Sequence, residues 1–281
     1  MKTIEVTSQT IQQNCLQATR CVMALGFFDG VHLGHQKVIK KAFTIAEKKN
    51  VSCAVMSFFP HPKVVLSKGK KQVPSLMPVQ EKLKRLQMLG VERCYLVHFD
   101  EDFASLPPEE FIHRYVLGLQ AVHAVAGFDY TYGCLGEGNM DRMKRDAFGC
   151  LEVTKVEKIT HHKEVISSSL IRKKIQSGEV DGLISYLGKL YDVQATVQIK
   201  KNNISFLVAS GYLLPPDGWY EVVIRKGDLL KEETVFLHHS FRKVYLLSTQ
   251  SVLFKQNEPV EIVWKRCLEK QRHRRMTIFT S

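Results

Sequence analysis

Short apolar runs alternate with stretches of helical period through the first two-thirds of the chain. The apolar runs predict four buried strands, at 21–25, 51–58, 91–97 and 121–126. Apolar residues at helical spacing, or helix start and stop signals, predict three helices, at 38–46, 78–89 and 107–118. Strands that are apolar throughout and are separated by helices indicate an α/β fold, with a parallel sheet covered on both faces.

The pattern changes after Gly188. Six short runs, alternating or apolar, follow at 191–200, 204–209, 219–225, 233–238, 243–247 and 260–264. Turn residues such as Asn202-Asn203 separate several of these runs, which is typical of a small antiparallel β domain, here expected to be a barrel. The sequence therefore predicts two domains, 1–187 and 188–281.

Composition places the chain among ordinary globular proteins. It has 281 residues, of which 44% are hydrophobic and 24% charged. No segment approaches the roughly 18 apolar residues that cross a bilayer, and the polar N-terminus has no signal-peptide core, so a cytoplasmic protein without a membrane partner is expected. The seven cysteines include no C-x-x-C pair, which predicts neither a zinc site nor a disulfide framework. Nothing in the sequence indicates an oligomeric state.

The net charge of +12 favours an anionic partner, either a nucleic acid or a small phosphate ligand. The densest basic cluster is near the C-terminus and comprises Lys265, Arg266, Lys270, Arg272, Arg274 and Arg275. Because it has no interleaved aromatic residues and matches no nucleic-acid motif, RNA or DNA is not the expected partner. Small anionic phosphates remain the favoured ligands.

The turn between the first strand and its helix carries the most informative chemistry. In Gly26–Gln36 (GFFDGVHLGHQ), two histidines three residues apart, His32 and His35, open the helix. A helix N-terminus attracts phosphate, and Gly30 and Gly34 allow the backbone to approach a ligand closely. The histidines can donate hydrogen bonds to a polyphosphate whose charge grows during transfer. An ordinary tight turn would show the same glycines, and that alternative stays open.

Two further segments follow predicted strands and belong at the same edge of the sheet. Phe58–Pro62 (FFPHP) ends the second strand, and Gly127–Tyr130 (GFDY) follows the fourth. In open α/β sheets, ligands bind at the carboxyl ends of the strands. Farther along, Ser168 and Ser169 precede an apolar-periodic stretch that includes Arg172. They are either helix caps or, with the arginine, a second phosphate clamp.

Six ordered segments together resemble the bacterial bifunctional riboflavin kinase/FMN adenylyltransferase (FAD synthetase) family. They are 26–36, 58–62, 76–100, 106–116, 127–139 and 166–180. The resemblance implies a Rossmann-like nucleotidyltransferase domain followed by a β-barrel. It also implies transfer of AMP from ATP, with Mg²⁺, to FMN, giving FAD and pyrophosphate.

The same resemblance implies roles for individual residues. His32 and His35 would steady the ATP phosphates, and Gly30, Gly34, Ser168, Ser169 and Arg172 would contact phosphate. The flavin or nucleotide pocket would include Phe28, Asp29, Phe58, His61, Pro62, Asp129 and Tyr130. The chain departs from the family pattern at Phe27, where asparagine is frequent, and at Leu170, where a basic residue is common.

The second domain departs further. The family carries Gly-x-Pro-Thr-x-Asn near the start of its barrel, where threonine and asparagine hold metal and phosphate for the kinase step. Here the chain runs Gln198-Ile199-Lys200-Lys201-Asn202-Asn203, and no Pro-Thr pair occurs anywhere. We therefore expect a barrel without riboflavin kinase activity. Two alternatives stay open: a nucleotidyltransferase with another acceptor, and a non-catalytic regulator that binds flavin or nucleotide.

Overall fold

The computed structural model describes residues 1–70, 72–200, 203–247 and 254–268. The chain forms two compact units. The first comprises Met1–Val73 and Val79–Ile166, and the second comprises Pro74–Pro78 and the described residues from Ser167 onward. These units divide ahead of the boundary predicted at 187/188, because the segment after Ile166 packs with the second unit. The boundary at 187/188, which rests on the change of pattern after Gly188, stays a prediction.

A six-stranded parallel sheet forms the centre of the first unit. Its strands are β1 Lys2–Val6, β2 Cys21–Leu25, β3 Ser52–Phe59, β4 Arg93–His98, β5 Ala121–Gly127 and β8 Glu152–Val156, in the spatial order β1-β4-β3-β2-β5-β8. The four predicted strands and the parallel sheet are confirmed. The two edge strands β1 and β8 were not predicted, because their side chains are mostly polar and partly exposed.

Helices cover the sheet, as the alternating pattern predicted. They are α1 Ile11–Gln17, α2 Leu33–Lys49, α3 Pro62–Leu66, α4 Val79–Met88, α5 Glu101–Ala104, α6 Pro108–Phe111 with a π-helical continuation Ile112–Leu117, and α7 Met143–Asp146. Two small hairpins pair β6 Thr131–Tyr132 with β7 Gly138–Asn139, and β9 Thr160–His161 with β10 Glu164–Val165. Among the described residues, no helix has the length and apolar character that crossing a membrane requires.

Strand register brings three loops to one edge of this sheet. Leu25, the last residue of β2, pairs with Met56 on one side and Ala126 on the other. All five residues of β2 are buried, so the strand is fixed on both faces. The loops that leave β2, β3 and β5 therefore start side by side at the carboxyl edge, where ligands bind in such sheets.

The second unit is built around a closed antiparallel barrel. Its strands are β11 Asp192–Lys200, β12 Asn203–Val208, β13 Gly218–Lys226, β14 Leu229–His238, β15 Lys243–Leu246 and β16 Pro259–Leu268, in the order β11-β12-β15-β14-β13-β16. This confirms the predicted barrel. Helices α8 Ser168–Gln176 and α9 Ile184–Leu187 precede it in the chain. The Tyr191 hydroxyl, 2.7 Å from the carbonyl oxygens of Leu76 and Leu213, ties the short 74–78 segment into this unit.

Candidate active site

The turn between β2 and α2 has an unusual backbone. Phe28, Gly30 and Val31 have φ angles of 55°, 80° and 43°, so three of four consecutive residues occupy the left-handed region. Glycine adopts this conformation readily, whereas a bulky and a β-branched residue do so only when their surroundings hold them. Phe28 and Val31 are both buried, so the surrounding packing maintains their conformation. Such held conformations concentrate at functional sites.

This loop places two stacked imidazoles at the N-terminus of α2. The rings of His32 and His35 have centroids 3.5 Å apart and an interplanar angle of 18°. His32 is the N-cap of the helix, and its Nδ1 accepts a hydrogen bond of 3.3 Å from the backbone N–H of His35. Because an accepting Nδ1 carries no proton, the neutral His32 ring has its N–H at Nε2. That N–H is a donor suited to a phosphate oxygen.

Close packing explains why position 34, one of the two predicted phosphate-contacting glycines, is a glycine. A Cβ on Gly34 would lie 3.0 Å from Cε1 and 3.1 Å from Nδ1 of His32. A side chain at position 34 would require the imidazole to shift by a few tenths of an ångström. Gly34 therefore sets the position of the His32 ring.

Helix α2 adds a favourable field for anions. It runs for 17 residues, has no acidic residue in its first turn and has Lys48 and Lys49 in its last turn. The positive end of the helix dipole, together with the first backbone N–H groups, favours a negatively charged ligand at this end. The histidine pair therefore lies at the end of α2 where the backbone favours an anion.

The loop after β3 contacts this turn directly. The ring of His61 meets the ring of Phe27 edge to face, with centroids 4.5 Å apart. The Nδ1 atom of His61 accepts from the backbone N–H of Lys63, so His61 caps α3, with Pro62 as the first helical residue. Phe58 packs into the core, against Phe99 and Phe103. Its place in the pocket wall stays a prediction, as do those of His61 and Pro62.

The predicted pocket residues of the other loops differ in exposure. Asp129 is exposed, and its Oδ1 lies 3.1 Å from the position that a Cβ on Gly127 would occupy. Tyr130 stacks on Tyr132 at 6.2 Å, and burial raises the pKa of Tyr130 above its usual value, so its phenol is neutral. Asp29, within the histidine turn, is buried.

The predicted phosphate clamp lies in the second unit, at the start of α8. Ser167 is the N-cap, and its Oγ accepts from the backbone N–H of Leu170 at 3.2 Å. Ser168 and Ser169 are the first two helical residues. Arg172, one turn later, donates from Nε to the carbonyl oxygen of Pro74 at 2.8 Å. Capping therefore belongs to Ser167, and phosphate binding by Ser168, Ser169 and Arg172 stays a prediction.

Sequence reasoning missed a buried cation next to the histidine turn. Lys82, on α4, is 3% exposed, and its Nζ lies 3.2 Å from the carbonyl oxygen of Phe27. The available signal was its spacing: Lys82 and Arg85 share the buried side of the helix with Leu86. A lysine or arginine is rarely buried unless its charge has a partner.

No group of three or more histidine, cysteine, aspartate or glutamate side chains is arranged to hold a metal ion within the described ranges. Magnesium bound with a nucleotide needs few protein ligands, because it keeps several waters and bonds to the phosphates. The donors of this site, two imidazoles and a helix N-terminus, suit the phosphates themselves.

Comparisons with known proteins agree on one family. A family model described as FAD synthetase matches residues 15–170. The bifunctional riboflavin kinase/FMN adenylyltransferase of Bacillus subtilis is 43% identical over 232 residues, which cover 79% of this chain and 72% of the relative. A Listeria monocytogenes protein named FAD synthetase is 30% identical over 220 residues, which cover 78% of this chain and 87% of the relative.

Among solved structures, a protein of Streptococcus pneumoniae described as a macrolide-efflux protein aligns with a TM-score of 0.83 at 27% identity. The alignment covers 100% of this chain and 93% of that one. The three loops at the carboxyl edge of the sheet all fall within the stretch that matches the family model, whereas Arg172 lies beyond it.

Proposed function

This chain belongs to the FAD synthetase family, and from that premise we propose that it transfers the adenylyl group of ATP to FMN. The products are FAD and pyrophosphate. The observation that carries the proposal is the stacked pair of His32 and His35 at the N-terminus of α2, at the edge of the sheet where ligands bind.

The site suits a direct displacement. A phosphate oxygen of FMN attacks the α-phosphorus of ATP in line, the bond from the α-phosphorus to the bridging oxygen breaks, and pyrophosphate leaves with its electron pair. The phosphate monoester is already ionised at neutral pH, so the attack needs no general base. What the protein supplies is position and charge stabilisation. The Nε2–H of His32, the His35 imidazole and the helix N-terminus meet that need.

We further propose that Ser168, Ser169 and Arg172 bind phosphate of the nucleotide. A guanidinium can bind a phosphate through two parallel hydrogen bonds, which fixes orientation as well as charge. Mg²⁺ enters as part of the substrate MgATP and neutralises charge on the phosphates.

We also propose that the barrel does not phosphorylate riboflavin. Lys200 of β11 pairs with Asn203 of β12, so only two residues join these strands. Family members with kinase activity are expected to carry the Gly-x-Pro-Thr-x-Asn loop in this part of the barrel, and two residues leave no length for it.

One assay tests both statements. The purified protein receives ATP and Mg²⁺ with either FMN or riboflavin, and the flavins are separated by chromatography. FAD from FMN, with neither FMN nor FAD from riboflavin, is the expected result. Failure to adenylylate FMN would overturn the first proposal, and FMN formed from riboflavin would overturn the second. Chelation of Mg²⁺ should stop FAD formation, and added Mg²⁺ should restore it.

A further inference from the structure

Lys82 places a buried ammonium group where two of the site loops begin. Its Nζ lies 3.2 Å from the carbonyl oxygen of Phe27, 2.8 Å from Oγ of Ser57 and 3.4 Å from the carbonyl oxygen of Phe58. An ammonium group has three N–H donors. Three acceptors surround Nζ, so each donor has one partner.

These acceptors belong to two neighbouring strand ends. Phe27 opens the turn that carries the two histidines, whereas Ser57 and Phe58 end β3 just before the loop of His61. Ser57 adds a second link, because its hydroxyl donates to the carbonyl oxygen of Phe27 at 2.9 Å. Lys82 and Ser57 therefore both hold the backbone of Phe27.

The side chain of Phe27 is held as well. Its ring lies 4.7 Å from Nζ of Lys82, within reach of a cation–π interaction, and contacts the ring of His61. The histidine turn and the loop of His61 are thus joined by backbone and by side chain. The ammonium of Lys82 contributes to both, because it binds backbone oxygens of both loops and lies against the ring of Phe27.

The charge of this lysine has a cost that packing alone does not explain. An apolar side chain of similar volume could fill a buried position without the desolvation that an ion suffers. Burial lowers the pKa of Lys82 to about 8, against the opposing influence of Cys94, on β4, and of Asp29, which favour the ammonium form. Burial raises the pKa of the Cys94 thiol to about 12, and Lys82 acts against that rise. The lysine thus retains its ammonium at neutral pH where three oxygens need a donor.

We propose that Lys82 is a positioning residue for adenylyl transfer, which fastens the turn of His32 and His35 to the loop of His61. This inference rests on the proposed function, since it assigns a part in that reaction. Lys82 acts through the loops, and its contacts with Phe27, Ser57 and Phe58 are what hold the imidazoles in place as charge develops on the phosphates.

The first test compares Lys82→Met with Lys84→Met. Both remove a lysine charge from α4, but Lys84 is exposed, with a side-chain accessibility of 68%. Displacement of reacting groups by about 1 Å costs on the order of 10²-fold in rate, so kcat for FAD formation should fall by about 10- to 100-fold in Lys82→Met. The KM for ATP should change much less, and Lys84→Met should match the wild type.

The pH profile separates positioning from a general structural role. As pH rises through about 8, Lys82 loses its charge and keeps two N–H donors for three acceptors, so wild-type kcat should fall. The unfolded chain still binds that proton up to about pH 10.5, so this group makes the free energy of unfolding rise over the same range. A fall in kcat over this pH range therefore does not reflect unfolding caused by this group. Lys82→Met should lack this alkaline limb.

Ser57→Ala tests the same link without removing the charge. It takes one acceptor from the ammonium, which lowers the pKa of Lys82 further, so the alkaline limb should move to lower pH and kcat should fall. In the double variant the two losses should not add, because both act on one connection. This variant decides the matter even if Lys82→Met does not fold.

The proposal is overturned by wild-type kcat and a wild-type alkaline limb in Lys82→Met, or by an unmoved limb in Ser57→Ala. Absence of FAD formation by the wild-type protein would instead overturn the proposed function. The two failures are therefore distinguishable within one set of assays.

Discussion

His32 caps the helix that carries His35. The Nδ1 atom of His32 accepts from the backbone N–H of His35 at 3.3 Å, and the two imidazoles stack with centroids 3.5 Å apart. We propose that this one ring has two roles: Nδ1 holds the start of the helix, and Nε2–H donates to the phosphates of the ligand. Because these duties use different atoms, substitutions can separate them.

His32→Ser should keep the cap and lose the donor. Serine is a favourable N-cap residue, so the melting temperature should stay close to that of the wild type. Loss of one donor aimed at developing charge costs about 10²- to 10³-fold in kcat by analogy with oxyanion-hole deletions. His32→Ala should lose a similar factor in kcat and also about 1 kcal/mol of stability, because it cannot cap. Turnover and urea unfolding measure the two effects.

The exposed His113 supplies the matched control, and His113→Ala should change neither quantity. If His32→Ser made FAD at the wild-type rate, His32 would be a helix cap and nothing more.

Gly34→Ala should impair turnover without weakening the helix. The new Cβ would lie 3.0 Å from Cε1 of His32, so the imidazole must move by a few tenths of an ångström. Alanine is favoured over glycine within a helix by about 1 kcal/mol, which offsets the crowding in stability but not in catalysis. We expect kcat to fall while the melting temperature changes little.

Gly182→Ala is the control for that substitution. No atom outside its neighbouring residues lies within 4 Å of a Cβ at Gly182, and its φ is ordinary, so the change meets no obstacle. Equal kcat in the two alanine variants would show that the His32 ring position does not depend on Gly34.

The sequence predicted the central strands well, for a physical reason. Strands β2, β3, β4 and β5 are covered on both faces, so their residues are apolar in continuous runs. The edge strand β1 depends instead on pairing with distant residues, such as Lys2 with Arg93, and its own residues are mostly polar and exposed. Local pattern cannot reveal an element whose stability comes from a partner some 90 residues away.

The sequence predicted the part of the site that is formed by neighbouring residues and missed the part that depends on distant ones. The histidine turn is local, and its residues lie within one short segment that strand and helix signals bracket. The contact of Lys82 with Phe27 is not local, because the two are separated by 55 positions. The serines at 167–169 show the limit of local rules, since the sequence favours any of them as a cap and the structure selects Ser167.

Tyr191→Phe should destabilise the second unit without touching the proposed chemistry. The Tyr191 hydroxyl lies 2.7 Å from the carbonyl oxygens of both Leu76 and Leu213, and its loss takes that donor from two buried carbonyls. Removal of a buried hydrogen-bond partner costs about 1–3 kcal/mol, which urea unfolding can detect. Tyr220→Phe removes a hydroxyl that donates to the carbonyl oxygen of Pro216, and it should cost less because that hydrogen bond is only partly buried. Equal losses in both variants would contradict the bridging role of Tyr191.

Arg172 provides the sharpest test of the proposed phosphate clamp. Its Nε donates to the carbonyl oxygen of Pro74, so both Arg172→Ala and Arg172→Lys lose that contact and should lower stability alike. Their effects on catalysis should differ, because lysine keeps the charge but not the guanidinium fork. A hydrogen bond to a charged group is worth about 1.5–3 kcal/mol, so Arg172→Ala should lower kcat/KM for ATP by about 10- to 100-fold, and Arg172→Lys by less. Lys173→Ala, an exposed neighbour on the same helix, should leave kcat/KM unchanged. If Arg172→Ala behaved like Lys173→Ala in ATP kinetics while losing stability, Arg172 would serve only to hold the segment of Pro74.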